Sequence, residues 1–291
     1  MTREKPSLTD LRREIDRIDE ALHDLLMRRA EVAEGVRLVK RGETGGYLRP
    51  AREAEVLRRL LARHGGQLPR ALIVRLWREL MSAVVAMQGP FAVAVWDGGG
   101  EGGFWDLARD HFGGLVPMTR HQTARGVIHA VSEAEATVGV LPAPEDGEEN
   151  PWWPPLAGVA GRAPLRICGR LPFAAGGNGR GAGREALVVG DVPFEPSGDD
   201  HSYLMVESPA GVSRASLTAA LRKAGLAPAA LAAWQEGGAD APTLYLVRVP
   251  DFVGADDPRP VALSEDDKAV SAMRAIGGYA TPFAGSREER R

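Results

Sequence analysis

"LHDLLMRRAEVAEGVRLVK", residues 22–40, decides the architecture of the N-terminal part, because it sets an arginine on a helix seam that is otherwise apolar. Counting from Leu11, apolar residues fall at Leu11, Ile15, Ile18, Leu22 and Leu25, then at Val32, Val36 and Val39, and Arg29 fills the missing beat. That spacing in fours and threes predicts one helix over residues 7 to about 41, with Ser7 or Thr9 as N-cap after Pro6 and Gly42 ending it. A rod of ~50 Å is too long to bury its seam against a small core of its own chain. It needs other helices, and a second chain is the expected source.

Working outward, the loop "RGETGGYLRP" leads to Pro50, which opens a helix "AREAEVLRRLLARH" closed by Gly65 and Gly66. A third helix is predicted from about Pro69 to Gln88, with Leu72, Leu76, Leu80, Val84 and Met87 as its stripe and Gly89-Pro90 as its stop. The first 90 residues therefore read as all-helical. After Pro90 the period shortens. "FAVAVW", "GVIHAV", "TVGVLP", "PLRICGRLPF" and "EALVVGD" read as strands, with "WDLARDHFG" as a helix between the first two, an α/β alternation. From about His201, strand "HSYLMVE", helix "SRASLTAALRKAGL", strand "PTLYLVRV" and helix "EDDKAVSAMRAIGG" describe a small α/β sandwich.

Composition excludes several classes. Of the 291 residues, the first 90 hold 18 Lys and Arg against 13 Asp and Glu and the remainder 18 against 26, so the two parts carry about +5 and −8. The N-terminal arginines alternate with carboxylates and no aromatic platform accompanies them, which argues against nucleic acid. No stretch approaches the ~20 apolar residues of a membrane span, and the N-terminus lacks the apolar core of a signal peptide. The expectation is a cytoplasmic protein that engages no membrane. Cys168 is the single cysteine and no Cys/His cluster has zinc spacing, so neither disulfide nor metal is expected.

Arg29 and Lys40 are eleven residues apart and share a helix face, whereas Arg12 lies seventeen residues from Arg29, ~25 Å along the rod and about 100° around it. For all three to serve one small anion, Arg12 must come from an antiparallel second copy. Arg12 also reads as a solvated helix residue, and Lys40 as a cation favoured by a helix C-terminus. Arg29 demands more. A guanidinium on an apolar seam costs several kcal/mol without a fixed anion. A carboxylate ligand would meet it bidentately, and an internal ion pair with Glu53 is the rival.

The runs "LRREIDRIDEALHDLLMRRAEVAEGVRLVK", "YLRPAREAEVLRRL" and "RLWRELMSAVVAMQGP", in register over residues 8–90, resemble the all-helical chorismate mutases fused ahead of a prephenate dehydratase domain. The resemblance implies an intertwined helical dimer of three helices per chain and no cofactor. Arg12 then enters the partner's site, Arg29 grips a substrate carboxylate, Lys40 bonds a carboxylate and the breaking ether oxygen, Glu53 holds the substrate hydroxyl, and Gln88 bonds the ether oxygen from the other side. Arg52 precedes Glu53 as in the family. Two positions depart from it: Arg49 replaces an aspartate, leaving a backbone N–H for the hydroxyl, and Val84 stands where some relatives have serine.

Downstream the resemblance degrades. "DGGGEGGFWDLARDHFG" is similar to the glycine-rich opening of a prephenate dehydratase, with Gly103 and Trp105 in place of threonine and serine. Pro144, Glu145 and Asp146 replace a Glu-Asn-Ser triplet, and Arg184, Glu185 and Ala186 replace the catalytic Thr-Arg-Phe. Only a short glycine-rich loop joins "RLPF" to "GREALVVGD", where a two-lobed dehydratase would place its second lobe. The expectation is a multidomain chain: residues 1–90 a mutase helical domain, 91–196 a truncated, inactive dehydratase-like α/β region, and 197–291 a small α+β sandwich of the ACT type. The last is regulatory or dimerising, with an aromatic amino acid as its family-based effector. A catalytically silent scaffold and a bifunctional mutase–dehydratase are the alternatives. The charged seam speaks against the first, and residues 184–186 against the second.

Overall fold

A computed structural model describes residues 6–39, 47–98, 103–157, 165–174, 183–238 and 240–283. By contact density it forms two compact units, residues 1–47 and 48–291.

Among its described residues the first unit holds one helix, α1 (Leu8–Val39), none of whose residues is buried. Ser7 is its cap: the Asp10 backbone N donates to Ser7 Oγ at 3.2 Å while the Ser7 backbone N donates back to Asp10 Oδ2 at 3.3 Å, the reciprocal arrangement that satisfies orphan donors of a first turn. Arg17 pairs with Glu14 and Arg28 with Glu31, each at 3.0 Å one turn apart, so the polar face supports itself. Leu11, Ile15, Ile18, Leu22, Leu25, Val32, Val36 and Val39 are all exposed, Leu25 by 66%. The apolar stripe read from the sequence is present along the whole helix.

In the second unit, α2 (Pro50–Arg63) and α3 (Arg70–Gln88) pack through Ala54, Leu57, Leu61, Val74 and Met81 against Phe173. Proline at N1 of α2 carries no N–H to orphan, as expected for a helix opened at Pro50. The expected α3 stripe is not the buried one. Leu72, Leu76 and Met87 stay exposed, and the buried face is Val74, Arg78, Met81 and Ser82. This helix carries two apolar faces, and the spacing of leucines picked the one that its own chain leaves open.

Among the described residues, nine strands form one sheet in the order β2-β1-β3-β5-β4-β9-β6-β8-β7. They are β1 (Val93–Trp96), β2 (Met118–His121), β3 (Val138–Pro142), β4 (Arg166–Leu171), β5 (Ala186–Gly190), β6 (Asp200–Ser208), β7 (Ala230–Trp234), β8 (Thr243–Val249) and β9 (Ala272–Ala280). The first three are parallel and joined through α4 (Phe104–Phe112) and α5 (Ala124–Ser132). All other neighbours are antiparallel except β4 and β9, which meet in parallel at a single registered rung, Ile167 opposite Gly277. Two further helices, α6 (Arg214–Lys223) and α7 (Pro258–Asp266), belong to the C-terminal strands. One face of the sheet carries a continuous core running from Ala94, Leu141 and Leu187 to Tyr203, Leu246 and Ile276, roofed by Trp152 and Trp153. On the other face α4 covers Val93, Val140 and Val188, and Leu217 and Leu221 of α6 cover Leu204 and Val206. The stretches read as 91–196 and 197–291 thus share one sheet and one core layer.

Two stretches adopt a different type of structure from the one expected. "GVIHAV" lies in helix α5, because Val127, Ala130 and Val131 share a helical face and Thr123 Oγ1 caps it by accepting from the Gly126 N–H at 3.0 Å. "EDDKAVSAMRAIGG" is not a helix. The helix ends at Asp266, Asp267 turns the chain by accepting from the Ala269 N–H, and β9 follows. Gly277 decides the matter: at φ +111° its missing Cβ would sit 2.1 Å from the Ile167 carbonyl oxygen. Strands β2 and β7 carry no strong β signal, and neither was expected.

Candidate active site

On α1, Arg12 is exposed and Arg29 half-buried. Lys40 lies outside the described residues.

The remaining candidates sit on α2 and α3. Arg49 occupies the N-cap position of α2 and accepts the Glu53 backbone N–H at its carbonyl, 3.0 Å away, which sets Glu53 in the first turn. The Arg49 side chain reaches Glu195 at 3.1 Å, and Arg52 pairs with Glu55 at 2.8 Å on the surface, so both act as local links here. Val84 is half-buried and Gln88 is the last residue of α3.

Glu53 has a partner that the sequence reading missed. Arg78 Nη1 donates to Glu53 Oε2 at 2.5 Å, and Arg78 is only 4% exposed. Its guanidinium stacks over the Phe173 ring at 4.8 Å. The signal was available: Arg78 lies four residues after Val74 and three before Met81, an arginine on an apolar helix face, by the same logic that singled out Arg29. Burial lowers the Arg78 pKa while the Glu53 carboxylate raises it, and burial is the larger effect. His111 of α4 is held well below the usual histidine range by desolvation and, second, by the Arg78 charge, so its ring stays neutral. Arg78 also borders a cleft of about 210 Å³ between α3, α4 and Phe173, whose other polar residues include Arg75, Asp110 and His111.

Cys168 on β4 is buried and its thiol is pushed up to about 12 by burial and by the Glu53 charge. At pH 8 only about one thiol in ten thousand is then ionised. The folded protein should resist a thiol-specific disulfide reagent at that pH and react stoichiometrically once denatured. Prompt labelling of the native protein would contradict this placement.

The dehydratase-like positions hold structural contacts. Trp105 stacks under Arg120 at 4.3 Å and Gly103 starts α4 at φ +100°. Asp146 accepts from Arg214 Nη2 at 2.6 Å and from the Ala233 N–H at 3.0 Å, joining the end of β3 to α6 and β7, and these bonds lower its pKa. Arg184 stacks over Phe104 at 5.5 Å, Glu185 pairs with Arg170, and Ala186 is buried in β5. Among the described residues no helix is long and apolar enough to cross a membrane.

Comparison with known proteins bears on this arrangement. Residues 11–89 match the family described as chorismate mutase type II. A bifunctional chorismate mutase/prephenate dehydratase of Pseudomonas aeruginosa is 35% identical over 145 residues, which is 48% of this chain and 39% of that protein. The chain thus spans about two fifths of the length of this curated relative. Among solved structures, GqqA, described as a novel type of quorum quenching acylase, has 18% identity and a TM-score of 0.49, covering 70% of this chain and 100% of its own. Prephenate dehydratase from Streptococcus mutans has 12% identity and a TM-score of 0.45, covering 65% and 97%.

Proposed function

We propose that this chain is a chorismate mutase, rearranging chorismate to prephenate on its helical segment. The observation that carries the reading is the match of residues 11–89 to the chorismate mutase type II family, a span that contains Arg12, Arg29, Lys40, Glu53 and Gln88. The reaction is an intramolecular rearrangement of a dianion, and positioning is its main requirement. Arginines that clamp both carboxylates fold the side arm over the ring, which converts orientation into rate. Arg29 takes one carboxylate and Arg12 of a second copy the other, while Glu53 accepts from the ring hydroxyl. As the C–O bond lengthens, charge grows on the ether oxygen, and Lys40 and Gln88 donate to it, an effect worth roughly 3–4 kcal/mol per donor in comparable sites. Arg49, through its backbone N–H, Arg52 and Val84 complete the pocket wall.

In this reading the protein is a homodimer. The exposed stripe of α1 and the exposed Leu72, Leu76 and Met87 of α3 are apolar surfaces of the kind that a helical partner covers. Residues 1–90 form the mutase domain, 91–196 a dehydratase-like region without activity, and 197–291 an ACT-like domain that takes an aromatic amino acid as effector or assists dimerisation. The setting is cytoplasmic, with neither membrane nor nucleic acid as partner. The relative named above carries both activities in its name, and this favours a second, bifunctional reading. Against it, Glu185 and Ala186 are engaged in an ion pair and a strand core. Loss of chorismate absorbance with the purified dimer tests the mutase, and added prephenate tests the other half. Prephenate should accumulate from chorismate, and no phenylpyruvate should form from it. Phenylpyruvate formation would establish the bifunctional reading, and no loss of chorismate would leave the silent scaffold.

A further inference from the structure

We propose that Arg78 is a positioning residue for the mutase reaction, holding Glu53 aligned and ionised through its Oε2. The inference rests on the assignment of Glu53 to the substrate hydroxyl. Its first support is geometric. The ion pair joins α2 to α3 at 2.5 Å, with the side chains only 5% and 13% exposed, so the pair is largely withdrawn from water. The plane of the guanidinium is fixed by Phe173 on one face. Both helices are anchored independently of the pair: Arg58 of α2 donates to the Ser197 and Asp199 carbonyls at 2.8 and 2.6 Å, and Glu79 of α3 accepts the Gly114 N–H at 3.0 Å. The carboxylate is therefore gripped by a buried cation in a rigid frame.

Stability alone is a poor account of such a pair. Replacing a buried ion pair by apolar side chains of similar volume is often neutral or stabilising, and the surrounding helix faces are already apolar. A carboxylate that must accept a hydroxyl hydrogen bond, however, has to stay ionised in a place that disfavours charge. A cation within hydrogen-bond reach does this, and the second carboxylate oxygen retains acceptor capacity for a ligand. Among the described residues, the titratable groups that line the small space around Glu53 are Arg78 from α3, His111 from α4, Cys168 and Arg170 from β4 and Tyr279 from β9. On its own helix, Arg49 and Arg52 turn to Glu195 and Glu55. His111 is neutral, Cys168 is protonated and Arg170 is engaged by Glu185. Among these described groups, Arg78 is the buried cation in direct contact with the Glu53 carboxylate, and its charge favours the ionised form.

The test measures kcat and KM against pH for the parent, Arg78→Gln, Arg78→Lys, Glu53→Gln and the Arg78→Gln/Glu53→Gln pair. The parent should show a flat kcat/KM from neutral pH down to about 5, since Gln88 needs no proton. Arg78→Gln should lose about ten- to a hundredfold in kcat/KM at neutral pH and gain an acid limb rising toward neutrality, because the buried carboxylate now takes up a proton. Arg78→Lys should recover the flat profile with part of the rate. In the Glu53→Gln background the Arg78 substitution should have little further effect, the signature of two residues acting as one. A parent-like profile in Arg78→Gln, or losses that simply add, would overturn the inference while leaving the mutase reading intact. No turnover in the parent would overturn both. If Arg78→Gln does not fold, the Arg78→Lys profile decides: an unchanged kcat at every pH counts against the proposal, since the shorter cation cannot hold both Phe173 and Glu53.

Discussion

Arg29→Ala is expected to reduce chorismate turnover by about a thousandfold, with a melting temperature within a few degrees of the parent. Removing a charged hydrogen-bonding partner from a desolvated ion pair costs about 4 kcal/mol, and each ~1.4 kcal/mol is a factor of ten. The cost falls on catalysis because no α1 residue is buried in the fold of its own unit, so the truncation opens no cavity in a core. Steady-state kinetics beside thermal unfolding separates the roles. Equal turnover in parent and variant would remove Arg29 from the site. A large drop in melting temperature with no turnover in either protein would make it a structural ion-pair residue.

A second large effect is expected far from that helix. Gly277→Ala places a Cβ 2.1 Å from the Ile167 carbonyl oxygen and 2.7 Å from its nitrogen, at a backbone angle of +111° that side-chain-bearing residues avoid. Backbone cannot yield as a flexible side chain does, so the strands must part. The position is also the one registered rung between β4 and β9. We expect a loss of about 3 kcal/mol or more, near 10 °C in melting temperature for a unit of this size. Hydrogen exchange should rise first in β4 and β9. A shift below about 2 °C would mean that the join tolerates a side chain.

What could be read from the chain alone was set by how strongly each stretch obeys one period. The α1 stripe, the cap at Ser7, the opening at Pro50 and the strands "FAVAVW", "TVGVLP" and "EALVVGD" each follow one rule without competition. "GVIHAV" satisfies both a strand and a helix pattern, and only Thr123, three residues before Gly126, tips it. The 265–278 stretch looks helical by composition, and its fate depends on a backbone approach between Gly277 and Ile167 that no local pattern encodes. The candidate residues were found by resemblance and by one anomaly, Arg29. Arg78 presents the same anomaly on α3, but the leucines at 72, 76 and 80 drew the stripe onto the other face of that helix, and an arginine off the stripe looks like ordinary surface.

Arg58 fixes how α2, and with it Glu53, is held to the sheet. Its guanidinium donates to the carbonyls of Ser197, Asp199 and Thr281 and to Ser197 Oγ. Three of those four acceptors are main-chain oxygens, which neither titrate nor vary with the residue that bears them. The mount is therefore written in backbone shape: acid and salt have little grip on it, and residues 199 and 281 can drift in evolution while the helix keeps its seat.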